Sequence, residues 1–458
     1  MALNGLQTRK LGLITTSAFV ITNMIGVGVF TSLGYQFKDI PNAIVILALW
    51  VIGGILALCG ALVYSELGAA MPRSGGEYHY LTKIYHPWLG FLSGWVSITV
   101  GFAAPVAIAA MALGEYSHGV FPFLSPKSMA LSVIILITII HAYDIKLGGN
   151  FQKIFTLFNI FLILVFVICG IFIAPSHQSL SIHFNTFSFK DFIKPEIAIS
   201  LIYVSYAFSG WNAAAYIAND IDKPQQTIPR SLLLSTLSVT ALYFLLNFTF
   251  IYTAPRSELI MDNNIQNPGL ISAFHIFGKT GGSIMGILIS LLLIANISSF
   301  VFVGPRIAQV MGEDIKLLKF ISFKSRNHGT PVPAILLQST IAILLILTSS
   351  FNTILASTGF VLAFFTFLAV FGIFIHRIKF KDVERPYKTW GYPVTPIIFL
   401  IIVIWTLCFT FYGHPKYSII GLLAVLSGSV IYFISKWTEK RSLKNGSVNN
   451  QIENSIKQ

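Results

Sequence analysis

An all-α integral membrane protein of about twelve transmembrane helices is the fold class that three features of this sequence predict. Of its 458 residues, 55% are hydrophobic and only 10% charged, against roughly 25% charged in a soluble domain. Its apolar runs, among them Ala43–Leu62 and Met129–Ile140, are continuous and not alternating, which excludes barrel strands. The runs also recur at about the length of 20 residues that a bilayer crossing needs. So little polar surface cannot cover so long a chain in water. In lipid each segment must satisfy its own backbone hydrogen bonds, and a helix does so within itself.

Taken in order, the spans centre near Thr22, Ile55, Gly101, Ile135, Leu162, Tyr206, Thr240, Ala295, Ile341, Phe364, Ile402 and Val425. The longer connections are 176–195 and 254–280. With the N-terminus inside, all of the 30 Lys and Arg fall on the cytoplasmic side except Lys38, Lys127, Lys190, Lys194, Arg256, Lys279 and Lys416. That asymmetry places both termini in the cytoplasm of a multi-pass cell-membrane protein. It also explains the net charge of +13 without a nucleic-acid partner. The expected divisions are a cytoplasmic N-terminus (1–10), a core in two halves (11–175 and 194–376), two accessory helices (377–436) and a disordered polar tail (437–458). The first apolar segment lacks a small-residue cleavage site, so it reads as a span and not a signal peptide. Cys59, Cys169 and Cys408 each sit in an apolar run with no metal-binding or disulfide spacing.

Two spans are interrupted. The first contains Ile25-Gly26-Val27-Gly28-Val29-Phe30, and the sixth Phe208-Ser209-Gly210-Trp211-Asn212. Glycine lowers helix propensity by about 1 kcal/mol and permits unwinding. Unwound backbone at membrane depth persists only when buried in protein or lining a cavity. Glycines at 26 and 28 also suit close helix packing. A second break at the corresponding place of a second half-repeat favours a transporter substrate site. N–H groups at a half-helix N-terminus suit a carboxylate, and freed carbonyls at a half-helix C-terminus suit an ammonium; an α-amino acid carries both.

These segments, with Tyr64-Ser65-Glu66-Leu67, Met71-Pro72-Arg73-Ser74-Gly75-Gly76-Glu77-Tyr78, Tyr206–Asn212, Asp222-Lys223-Pro224, Ile228-Pro229-Arg230 and Gly304-Pro305-Arg306, resemble the amino acid–polyamine–organocation transporter superfamily, near its L-type amino acid transporter branch. The resemblance is densest over residues 10–230. It implies an inverted repeat of five plus five helices with broken first and sixth members, then two extra helices. It implies that Ile25, Gly26, Val27 and Gly28 hold a substrate carboxylate through backbone, and that Tyr206, Ala207 and Phe208 offer carbonyls to the amino group. Phe208 is then the aromatic cover, with Gly210 and Trp211 beside it. Ala104, Pro105 and Ala109 of the third span are pocket candidates.

The sequence departs from the family at two places. Where many relatives carry Gln, Thr and Lys in the fifth span, this chain has Gln152, Thr156 and Asn159. The lysine is thought to bridge the first and eighth spans where other transporters bind sodium. Asn159 leaves room there for a water or a cation, with Ser298 and Ser299 lining the same space. Asn219-Asp220 stands where relatives usually carry acidic residues.

Glu66 is expected either to be structural or to form an inner gate with Arg73, and Glu115 to be a rim charge; both are also candidates for coupling or gating. No carboxylate lies at a span centre, which favours neutral substrates over cationic amino acids or polyamines. The chain is read as a secondary transporter with an amino acid substrate and a coupling proton or sodium ion, acting as exchanger or symporter. Cofactors and metals are not expected. A channel would need a ring of filter residues, and an enzyme a catalytic constellation at membrane depth; neither pattern is present. A non-transporting sensor remains an alternative, and oligomeric state is not encoded in any motif.

Overall fold

A computed structural model describes residues 10–143, 146–178, 194–260, 267–325 and 329–456. Most of the expected N-terminal segment and of the 176–195 connection lies outside these residues. The described chain is almost entirely helical.

Ten helices among the described residues are long and apolar enough to cross a membrane. The first is interrupted, running Leu13–Met24 and Val27–Asp39. The others are Ala43–Ala70, Pro87–Val120, Pro126–Tyr143, Ile154–Phe172, Pro224–Thr253, Pro268–Asp314, Phe351–Lys379, Val394–Gly413 and Pro415–Arg441. Two shorter apolar helices, Pro195–Ala207 and Val332–Thr348, stand where the sixth and ninth spans were expected. The sixth is short because its helix stops at the second break. All twelve are numbered below in chain order.

Local chemistry sets the boundaries. Asn42 caps the second helix, its side-chain oxygen accepting from the Ile44 N–H at 2.9 Å. Pro87 occupies the first turn of the third, where a missing N–H costs nothing. Gly278, at φ 67°, breaks the long run Pro268–Asp314 into a short outer helix and the eighth span proper. The last helix continues to Ile456, through the tail that composition marks as disordered. Lys436 and Glu439 pair along it at 2.8 Å, one turn apart.

Burial sorts the bundle into centre and rim. In an 18-residue apolar stretch of the first, third and eighth spans, 78%, 83% and 72% of the residues are buried, against 28%, 33% and 28% in the fourth, eleventh and twelfth. The rim helices turn residues such as Ile135, Ile139, Ile401 and Leu423 outward, as a lipid-facing surface requires. Packing is most extensive between the second and seventh helices and between the third and eighth. The first packs on the fifth as the sixth packs on the tenth. These are the pairings of an inverted five-plus-five repeat. The two breaks therefore meet at the bundle centre.

At one end of the bundle, four segments are tied by polar contacts. Leu11 exchanges backbone hydrogen bonds with Asp220 and Asp222, at 2.8 and 2.9 Å. Ser74 and Asn219 bond reciprocally at 3.2 and 2.9 Å. Arg73 reaches Asp314 at 2.5 Å, and the Tyr78 hydroxyl donates to the same carboxylate at 3.0 Å. Asp220 also pairs with Arg306 at 3.2 Å. Glu66 is fully buried and is not the partner of Arg73. It takes two bonds from Arg377, at 2.9 and 2.7 Å, and one from the Thr389 N–H at 2.7 Å, with Arg385 at 3.6 Å. This charge cluster joins the second helix to the tenth and to the loop leading into the eleventh.

Candidate functional site

At the first break, Ile25 has extended backbone (φ −70°, ψ 99°) and Gly26 is also extended (φ −156°). The second half-helix starts at Val27, so the N–H groups of its first turn have no partner within the helix. At the second break the helix ends at Ala207, and Gly210, at φ +96°, turns the chain before Ala213–Tyr216.

The breaks are in contact. A Cβ on Gly28 would lie 2.5 Å from the Cα of Ala207, and one on Gly210 would lie 2.8 Å from Asn23 backbone. A Cβ on Gly26 would meet the Asn296 side chain at 2.5 Å. Glycine at 26 and 28 thus answers a steric need beyond helix breaking. The Tyr243 hydroxyl of the seventh helix sits between the breaks, within hydrogen-bonding distance of the Met24 carbonyl at 2.5 Å and the Ala207 carbonyl at 2.9 Å. Its ring packs edge-on against Phe208, with centroids 4.9 Å apart. Sequence reasoning did not single out Tyr243, because a tyrosine in an apolar span carries no pattern. Tyr243→Phe is expected to lower stability by about 1–3 kcal/mol, since the one hydroxyl proton shared by two buried carbonyls is lost. The check is the thermal midpoint of purified protein; an unchanged midpoint would show that the hydroxyl does not tie the breaks.

A cavity of about 860 Å³, open mouth included, lies against the second break. Tyr206, Phe208, Gly210 and Trp211 are on its wall. Ile25, Gly26, Val27, Gly28 and Ala207 are buried but off that wall. From the third span the lining residues are Ser97, Gly101 and Phe102, in a π-helical stretch Ser97–Phe102, and not Ala104, Pro105 or Ala109. A π turn adds a residue to the cycle and shifts the face that follows. Phe208 and Trp211 are nearly inaccessible; Trp211 also packs on Tyr64, with centroids 4.7 Å apart.

The other candidates divide. Asn159 is fully buried, and neither atom of its amide has a hydrogen-bond partner. Close links surround that region: Thr22 to Thr156 at 2.5 Å, Asn23 to Ser299 at 2.7 Å, and Asn296 to the Thr22 carbonyl at 2.7 Å. Ser298 instead bonds His141 of the fourth span at 2.8 Å, a histidine buried inside the bundle. The side chain of Gln152 lies outside the described residues. Glu115 is half-buried and off the cavity wall. A carboxylate that does reach the wall is Glu77, named from sequence only as part of the Met71–Tyr78 run.

Comparison with known proteins agrees with this architecture. The family model for amino acid permeases matches residues 11–434. Large neutral amino acids transporter small subunit 2 of Mus musculus is 25% identical over 442 residues, covering 94% of this chain and 82% of its own. The b(0,+)-type amino acid transporter 1 of Homo sapiens is 26% identical over 438 residues, covering 93% and 88%. The serine/threonine exchanger SteT of Bacillus subtilis (strain 168) is 26% identical over 435 residues, covering 94% and 97%. With two facing helix breaks at its centre and the family model matched along nearly its whole length, the chain belongs to the amino acid permease family of the amino acid–polyamine–organocation superfamily, whose members are transporters and not enzymes.

Proposed function

We propose that this protein carries amino acids, neutral ones foremost, across the cell membrane by alternating access, as an exchanger or a proton-coupled symporter with both termini cytoplasmic. The observation that carries the reading is the contact between the breaks. Free N–H groups at Val27 and beyond suit a carboxylate, and the end of the helix at Ala207 presents carbonyls to an ammonium. The Ala207 carbonyl already has the Tyr243 hydroxyl near it; its second lone pair is available. Neutral side chains are favoured by an apolar wall that includes Leu56, Ala57, Phe102, Phe300 and Leu362. The names of the relatives point the same way, one to large neutral amino acids and one to serine and threonine exchange. The unpartnered amide of Asn159 supports a water or a coupling cation between the first, fifth and eighth spans as part of this reading.

Cationic amino acids or polyamines are the second reading, favoured by the Glu77 carboxylate on the wall. The test is uptake of radiolabelled amino acids into proteoliposomes, loaded or empty, under an inward proton gradient. Uptake of neutral substrates is expected. Uptake confined to loaded vesicles identifies an exchanger; gradient-dependent uptake into empty vesicles identifies a symporter. Uptake of cationic substrates alone overturns the first reading in favour of the second, and no uptake of any amino acid overturns both.

A further inference from the structure

We propose that Glu77 is a proton-binding site in the cavity wall, whose carboxylate takes up a proton while the second break is packed against it and releases it when that break moves. The assignment rests on the transport reading above and adds to it the group that carries the proton.

The geometry begins with two glycines. Gly75 and Gly76, at φ +110° and +50°, turn the chain inward between the second and third spans, and a Cβ on Gly76 would lie 2.5 Å from the Tyr216 ring. The turn delivers Glu77, first residue of the helix Glu77–Ile84, into the bundle with 2% exposure. Its Oε1 accepts from the Tyr64 hydroxyl at 2.5 Å and from Asn212 Nδ2 at 3.1 Å, and the Tyr216 hydroxyl is close enough to act on the carboxyl. Asn212 and Tyr216 belong to the break and the turn of helix after it. The carboxyl therefore touches both the cavity and the segment whose rearrangement alternating access requires.

A buried carboxylate is ordinarily paired with a cation. Among the described residues none forms an ion pair with Glu77. The titratable groups nearest it are phenols: Tyr64 of the second helix, Tyr216 after the break, and Tyr80 of its own helix. Its own helix also carries Tyr78, His79 and Lys83. The helix Pro87–Val96, packed on it, has no charged residue. The tenth helix, also packed on it, brings His376, Arg377 and Lys379, of which Arg377 is bound to Glu66. Arg73, in the preceding loop, is bound to Asp314.

Burial raises the carboxyl to about 7, against the opposing hydrogen bonds from Tyr64, Tyr216 and Asn212. Burial is the largest influence, so admitting water outweighs losing the two donors on the break. The group holds its proton near neutrality while dry, and releases it as hydration returns it to the ordinary carboxylate range. The step is a protonation alone: one O–H bond forms with a proton from water and the same bond breaks on release.

Infrared difference spectra of the purified full chain, titrated without substrate, test the site directly. A carboxylic-acid carbonyl band that disappears as pH rises through neutrality is expected in the wild type and not in Glu77→Gln. In proteoliposomes, wild-type amino acid flux is expected to change about tenfold between pH 6 and pH 8, and that of Glu77→Gln by no more than about twofold. Glu77→Asp keeps a titratable group in altered surroundings; it is expected to keep the pH dependence with a displaced midpoint, and it carries the test if Glu77→Gln is not recovered folded. The same titrating band in Glu77→Gln, an unchanged midpoint in Glu77→Asp, or a loss confined to cationic substrates would overturn the assignment. Because the infrared titration needs no substrate, its failure is separate from failure of the transport reading.

Discussion

Gly28→Val is expected to reduce transport to background while the protein still inserts and assembles. The added Cβ would sit 2.5 Å from the Cα of Ala207, a distance that only backbone movement can relieve. Overpacking a filled site costs about 1–3 kcal/mol, and here the strain falls between the two broken helices. Gly26→Val is expected to act by another route. Its Cβ meets the end of the Asn296 side chain, which can swing aside only by giving up its bond to the Thr22 carbonyl. Uptake assays normalised to the quantity of membrane-inserted protein decide the matter. Normal uptake by Gly28→Val would falsify the facing-break site, whereas loss of insertion would show that the glycine serves folding alone.

Glu66→Gln is expected to cause the second large effect, on stability and not on substrate affinity. The carboxylate is fully buried and binds Arg377, Arg385 and the Thr389 N–H. Removing one member of a buried ion pair costs about 3–5 kcal/mol, because the remaining charge loses its partner. Arg377 and Arg385 retain 24% and 14% side-chain exposure, so the lower end of that range applies. The expected signs are a lower unfolding temperature in detergent and new tryptic cleavage at Lys381, Arg385 or Lys388, in the loop that the cluster holds. A variant with wild-type unfolding and wild-type cleavage would mean that the accessory helices are anchored elsewhere.

What could be read in the sequence follows from the kind of interaction involved. The breaks at Gly26–Gly28 and Phe208–Asn212 were readable because glycine and polar residues interrupting an apolar run act on the backbone, and backbone effects are local. Tyr243, Glu77 and the lining of the third span were not. Tyr243 acts through one hydroxyl placed by the packing of the second and seventh helices. Glu77 looks like a loop carboxylate until the positive-φ turn at Gly75–Gly76 carries it inside. The inference that neutral substrates follow from the lack of a central carboxylate loses its ground there, and preference now rests on the apolar wall. In the third span the π-helical stretch at Ser97–Phe102 shifts the face that follows, and the cavity is lined from that stretch and not from Ala104, Pro105 or Ala109.

The tie at one end of the bundle has an energetic consequence. Arg73 and Asp314 keep 38% and 31% side-chain exposure, and a pair so exposed contributes about 0–1 kcal/mol. The reciprocal Ser74–Asn219 bonds and the Leu11 bridge are neutral, near 1 kcal/mol each. Water can take the place of every one of these partners. Apart from the Asp220 pair with the buried Arg306, this end is then held by a few kcal/mol in small, separable parts. Dissolved salt, by screening Arg73 from Asp314, weakens that pair. The Glu66 cluster, built on a fully buried carboxylate, is far less open to such screening.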